Sequence, residues 1–189
     1  MPTISVFGSS SPPPGSPDYE EARELGLLLA QAGFTVASGG YYGAMEAVSR
    51  GAREAGGRTI GLTTPFYRLD PNAYLDEVIE TERWQDRLFA LIEKGDGYVV
   101  LKGGTGTMLE LAAVWECLNK RAIASRPCVA LGFWAPVVDC VREVERERNG
   151  RRWVEHGSGL IHVAANPAAA VEYLIRGVLP GAARSSVSR

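Results

Sequence analysis

Short β-branched or apolar runs alternate with helix-length segments along the chain. Strands are predicted at Thr3–Phe7, Phe34–Ala37, Thr59–Leu62, Gly97–Leu101, Cys128–Leu131 and Leu160–Val163, with a weaker run at Val78–Ile79. Between them, helical patterns occupy Pro17–Ala32, Ala44–Ala55, Glu82–Lys94, Thr107–Asn119, Pro136–Arg148 and Pro167–Arg176. The first helix carries its own punctuation. Ser16 caps it, Pro17 suits its first turn, Ala22, Leu25, Leu29 and Ala32 line one face, and Gly33 closes it. Near-continuous apolar strands separated by helices specify a parallel sheet covered on both faces. The fold class is therefore α/β, a Rossmann-like doubly wound parallel sheet in three α/β/α layers. Residues 1–179 read as a single domain. Residues 180–189, rich in Gly, Ala, Ser and Arg, read as a flexible tail.

Composition narrows the chemistry. The chain has 189 residues, and 20 Lys+Arg against 22 Asp+Glu give a net charge of −2, without the basic excess of a general nucleic-acid binder. No apolar run approaches the length of a membrane span. Three cysteines, Cys117, Cys128 and Cys140, form neither a CxxC pair nor a zinc-ligand spacing, so a reducing, cytoplasmic setting is expected, with no metal site. The two histidines, His156 and His162, support no Ser/His/Asp triad: His162 falls in a strand pattern, and His156 beside Gly157 reads as a loop residue. Trp84, Trp115, Trp134 and Trp153 read as core or interface aromatics rather than platforms for bases.

The glycine content stands out, 22 residues or about 12% against an average of ~7%. Seven of these residues sit just after predicted strands, at Gly8, at Gly39, Gly40 and Gly43, and at Gly103, Gly104 and Gly106. Loops leaving the carboxyl ends of parallel strands line the ligand crevice, and each of these three leads into a helix whose N-terminal N–H groups attract an anion. Ser9, Ser10, Ser11, Ser38, Thr105 and Thr107 add hydroxyls. Neither Gly-x-Gly-x-x-Gly after the first strand nor GxxxxGK[ST] is present, so neither a dinucleotide fingerprint nor an NTPase loop is specified. Two charged residues flank the same region. Glu110 lies in the first turn of the helix opened by Thr107, and Arg87 lies one turn into Glu82–Lys94, where a guanidinium suits phosphate or carboxylate.

The run Lys102-Gly103-Gly104-Thr105-Gly106-Thr107-Met108-Leu109-Glu110 resembles the PGGxGTxxE signature of the Lonely Guy (LOG) family, often mislabelled lysine decarboxylases, with Lys102 in place of Pro. Trp84-Gln85-Asp86-Arg87-Leu88 aligns with that family's Met-His-Glu-Arg-Lys, keeping the Arg and replacing its His and Lys. Val6–Ser11 and Ser38–Val48 resemble its first two loops, so the similarity runs from about Thr3 to about Trp134. The resemblance implies a phosphoribohydrolase, which cleaves the N-glycosidic bond of a nucleoside 5′-monophosphate, of AMP or cytokinin type, to free base and ribose 5-phosphate. It implies Glu110 on the ribose, the developing cation or a water, and Arg87 on the substrate and leaving group. Gly103, Gly104, Thr105, Gly106 and Thr107 would hold the phosphate, with Ser9, Gly39 and Gly40 closing the pocket. No metal or redox cofactor is implied. The implied partners are a small-molecule nucleotide and a second copy of the chain, without nucleic acid or membrane. Two rivals stand beside it. Relatives of this fold carry the molybdenum cofactor, a phosphorylated pterin, and a non-catalytic carrier would use the same loops. Related Rossmann-like proteins bind single-stranded DNA, against which the slightly acidic balance counts. Nothing marks a Schiff-base lysine, which excludes a decarboxylase.

Overall fold

A computed structural model describes residues 1–156 and 159–179, with backbone alone for 149–156. Seven strands form one parallel sheet: β1 (Thr3–Phe7), β2 (Thr35–Ser38), β3 (Thr59–Thr63), β4 (Glu77–Glu80), β5 (Gly97–Val100), β6 (Cys128–Leu131) and β7 (Ile161–Ala164). Their order is β4-β3-β2-β1-β5-β6-β7, all pairs parallel. The winding therefore reverses between β1 and β5, and a crevice opens at that reversal, outside the carboxyl ends of the strands.

Six helices cover the sheet: α1 (Pro17–Gln31), α2 (Ala44–Glu54), α3 (Trp84–Lys94), α4 (Thr105–Asn119), α5 (Ala135–His156) and α6 (Pro167–Val178). The core on one face joins α1, α2 and α6 to the sheet through Leu25, Leu29, Val48 and Leu174. The core on the other joins α3, α4 and α5 through Leu91, Leu111, Trp115 and Val138, with Trp134 just before α5 packed among them. Two helix layers on one parallel sheet are what the alternating pattern specified.

The differences have local causes. Edge strand β4 reads weakly because Glu77 and Ile79 are only half-buried and Val78 and Glu80 are exposed, so its apolar run is short. Helix α4 begins at Thr105, two residues before the expected Thr107, and its cap Gly104 supplies backbone only. Helix α5 runs past the expected end at Arg148 and reaches His156, a residue expected in a loop. His162 on β7 is half-buried and stacks on Tyr173 with ring centroids 4.1 Å apart. Trp115 and Trp134 are buried, Trp84 is half-buried, and all three cysteines are free thiols. The Trp153 side chain and residues 180–189 lie outside the described residues. Among the described residues, no helix is long and apolar enough to cross a membrane.

Helices α1 and α2 touch backbone to backbone. A methyl group at Gly26 would collide with the Val48 carbonyl, and one at Gly51 with the Arg23 carbonyl. The contact is tied at its rim by Arg23 of α1 to Glu54 of α2 at 2.8 Å, and Arg50 one turn back on α2 holds the same carboxylate at 3.0 Å. Mid-helix Gly→Ala ordinarily stabilises by about 0.8–1.0 kcal/mol, whereas overpacking costs about 1–3 kcal/mol. The steric effect wins here because the obstacle is backbone. Gly51→Ala is therefore expected to lower Tm by several degrees in thermal unfolding; an unchanged or raised Tm contradicts this packing.

Candidate active site

Three loops meet at the reversal. After β1, the chain passes through Gly8, where a Cβ would sit 2.9 Å from that of Ala44. Ser9 donates its N–H to the Lys102 carbonyl at 3.3 Å and accepts the Ala44 N–H at 2.9 Å. The β1, β2 and β5 loops are thus one hydrogen-bonded unit. Gly43 closes it from behind: at φ +66° it adopts a left-handed conformation, and a side chain there would lie 2.5–2.7 Å from the Ser9–Ser10 backbone.

Helix α4 opens onto this unit. Its first bond to the cap runs from Met108 N–H to the Gly104 carbonyl at 2.9 Å, so Thr105, Gly106 and Thr107 present N–H groups with no intrahelical acceptor. The absence of a side-chain cap leaves this positive helix end for a ligand. One turn further on, the Glu110 carboxyl is half-buried. Loss of hydration pushes its pKa up to about 7, and the Arg87 cation pulls against that rise without cancelling it.

Arg87 comes from α3 and is only 7% exposed. Its Nε donates to the Leu62 carbonyl at 2.6 Å and its Nη2 to the Gly39 carbonyl at 2.9 Å, with the Met45 sulfur 3.8 Å from Nη2. The guanidinium carbon lies 5.5 Å from the Tyr41 ring centroid and 5.6 Å from that of Tyr67. Among the described residues no carboxylate is ion-paired with it.

These groups border a cavity of about 320 Å³ lined by Gly8, Ser9, Ser10, Ser11, Tyr41, Met45, Tyr67, Leu69, Arg87, Gly104, Thr105, Gly106, Thr107 and Glu110. The volume lies at the small end of the range for small-molecule sites. Ser9, Arg87, Gly104, Thr105, Gly106, Thr107 and Glu110 come together as anticipated. Gly39, Gly40 and Gly103 do not line the cavity, and their function is close approach behind it. A Cβ on Gly39 would collide with Arg87 Nη2, one on Gly103 would collide with the Thr107 hydroxyl, and one on Gly40 would lie 2.9 Å from the Thr63 methyl and 3.1 Å from the Gly61 Cα. Lys102 is turned away: its Nζ lies 2.9 Å from Asp18, at the foot of α1. Of the residues at the altered LOG positions, Leu88 is core and Trp84 half-buried. Tyr67 and Leu69 were not anticipated. The only signal for them is an apolar stretch after Pro65 where a loop is otherwise polar.

An open helix end, a buried guanidinium and a carboxyl at the switch point of a parallel sheet define a Rossmann-like protein with a candidate site in its crevice. The sequence profile of the SLOG cluster4 family matches residues 1–135, and the chain belongs to that family. It is 34% identical over 116 residues to a Mycobacterium tuberculosis protein named cytokinin riboside 5′-monophosphate phosphoribohydrolase, a match covering 60% of this chain and 62% of that one. A protein of the same name from Rhodococcoides fascians is 25% identical over 154 residues, covering 77% and 76%. Among solved structures, the molybdenum cofactor carrier protein of Chlamydomonas reinhardtii superposes with a TM-score of 0.71 at 25% identity, covering 95% of this chain and 99% of that one.

The Glu110 environment makes a signed prediction. Its folded pKa, near 7, lies above the ordinary carboxyl value of 4.5, so the folded protein binds the proton more tightly than the unfolded chain. Stability contributed by this group is complete below pH 4.5 and is lost as pH rises to 7, by at most about 3 kcal/mol. Glutamine carries no charge at any pH. Glu110→Gln is thus expected to match the parent Tm near pH 4.5 and exceed it by a few degrees near pH 8. Equal differences at both pH values contradict the desolvated carboxyl.

Proposed function

We propose that this protein hydrolyses the N-glycosidic bond of a nucleoside 5′-monophosphate, releasing the free base and ribose 5-phosphate. The observation that carries this reading is the convergence in one cavity of unpaired N–H groups at the start of α4, the Glu110 carboxyl and the buried Arg87. The names of the mycobacterial and Rhodococcoides relatives agree with it.

In this reading Thr105, Gly106 and Thr107 donate backbone N–H groups to the 5′-phosphate, with Gly104 allowing close approach and the Ser9 side of the β1 loop closing over it. Bond cleavage moves the C1′–N electron pair onto the base and leaves positive charge shared by C1′ and the ring oxygen, as in glycoside hydrolysis. Ionised Glu110 stabilises that charge and orients the water whose oxygen joins C1′. One of the water's protons stays on the new C1′ hydroxyl, and the other passes by way of the carboxylate to the departing base. Arg87 anchors the substrate and polarises the leaving group. AMP and its base-substituted analogues are the proposed substrates, a second copy of the chain the proposed partner, and the cytoplasm the proposed location. Exposed Phe89 on α3 and Met108 and Leu109 on α4 supply apolar surface for the second copy. The carrier reading draws its support from the near full-length likeness to the molybdenum cofactor carrier.

Incubation with AMP and N6-substituted AMP, with chromatography of free base and ribose 5-phosphate, separates the readings. The parent protein is expected to release base. Glu110→Ala is expected to lose about 10²–10⁴-fold in kcat while nucleotide binding survives. Release of no base from either nucleotide, with a pterin phosphate bound, favours the carrier.

A further inference from the structure

The turn between β3 and β4 has an arrangement that sheet formation does not explain. From Pro65 to Asp70 every residue is exposed. Yet Phe66, Tyr67 and Leu69 within it are 64%, 42% and 48% exposed, a dense group of large apolar side chains left in water. The ends of the segment are fixed. At Thr64 the backbone N–H donates to the Tyr41 hydroxyl and the carbonyl accepts from it, both at 2.8 Å. At Asn72 the side-chain amide donates to the Tyr41 carbonyl, and the backbone N–H to the Gly40 carbonyl, both at 2.9 Å. Arg68, a non-glycine residue, is held at φ +51° between them.

Tyr67 and Leu69 both border the cavity, whereas Phe66 does not, and Tyr67 is the aromatic ring among them. Its ring is set edge-to-face against Tyr41 at 5.6 Å and Phe66 at 5.3 Å, so neighbours fix its plane. Tyr41 is buried with its hydroxyl committed to Thr64, which makes it a support. The Tyr67 hydroxyl makes no hydrogen bond among the described residues. A braced, partly uncovered aromatic ring opposite an anion-attracting helix end suits a ligand with a phosphate at one end and a planar heteroaromatic ring at the other.

We infer that Tyr67 is the stacking platform for the purine of the bound nucleotide, with Phe66 and Tyr41 as positioning residues that hold its ring. The inference rests on the nucleotide reading given above. Stacking of a base on an aromatic side chain is sequence-tolerant, so this residue favours planar bases as a class and leaves the choice among purines to other contacts.

Calorimetric titration with AMP and with ribose 5-phosphate tests it, because the second ligand keeps the phosphate and lacks the ring. Tyr67→Ala is expected to weaken AMP by about 10–100-fold and ribose 5-phosphate by less than about twofold, while Tyr67→Phe keeps AMP within about threefold. Equal losses for the two ligands, or unchanged AMP affinity, overturn the stacking role while leaving the nucleotide site intact. Binding of neither ligand to the parent protein overturns both. The expected split in a protein that releases no base supports the platform and removes only the hydrolase.

Discussion

The burial of one cation organises the crevice. The Arg87 guanidinium is almost fully removed from water, and its hydrogen-bonded oxygens are the carbonyls of Gly39 and Leu62. A buried charge costs several kcal/mol unless its donors are satisfied, so those carbonyls must stay where they are. One follows β2 and the other belongs to β3, so the parallel register Ser38↔Gly61 becomes a condition for holding the charge. The bare Gly39 is a second condition, since any side chain there occupies the space of Nη2. Helix α3 is fixed in turn, because Leu88, Leu91 and Ile92 must pack on the sheet while Arg87 reaches over its edge.

This cation and the start of α4 account for how a chain of net charge −2 presents a positive crevice. Lys102, the charged residue beside the glycines, contributes little there because Asp18 holds it on the α1 side. The field comes instead from fixed dipoles and from a guanidinium without an ion-paired carboxylate among the described residues, groups that need no rearrangement to receive an anion. Side-chain ammonium groups would add charge but also hydration and conformational freedom. Backbone donors add neither.

The layer architecture was legible because it depends on periodicity: apolar strands and amphipathic helices alternate, and a parallel sheet follows. The open start of α4 was legible for a related reason, since Gly104, Thr105, Gly106 and Thr107 are consecutive and its geometry lies in the backbone. Two kinds of information were not. Glycines at close contacts look like glycines in loops, so Gly39, Gly40 and Gly103 were expected in the lining when they serve behind it, and Gly26 and Gly51 gave no sign of bringing α1 against α2. Residues joined only by strand order, such as Tyr41, Tyr67 and Leu69, carry no spacing that reveals their meeting. Helix ends proved least legible. Helix α5, expected to end at Arg148, continues to His156.

The remaining question is why the cavity holds a carboxyl with a pKa near neutrality beside a cation. Desolvation favours the protonated acid and the cation favours the carboxylate; with the pKa raised to about 7, desolvation outweighs the cation. Such a group responds to whatever charge enters. An anionic phosphate raises its pKa, whereas positive charge developing at a ribosyl centre lowers it. For the hydrolysis proposed above, the first response limits repulsion as substrate binds, and the second strengthens the carboxylate where positive charge appears. A carboxyl in full solvent responds weakly to either event because water screens both. In the proposed hydrolysis the half-burial of Glu110 couples its ionisation to the position along the reaction, and the nearby Arg87 guanidinium keeps the ionised form within reach at neutral pH.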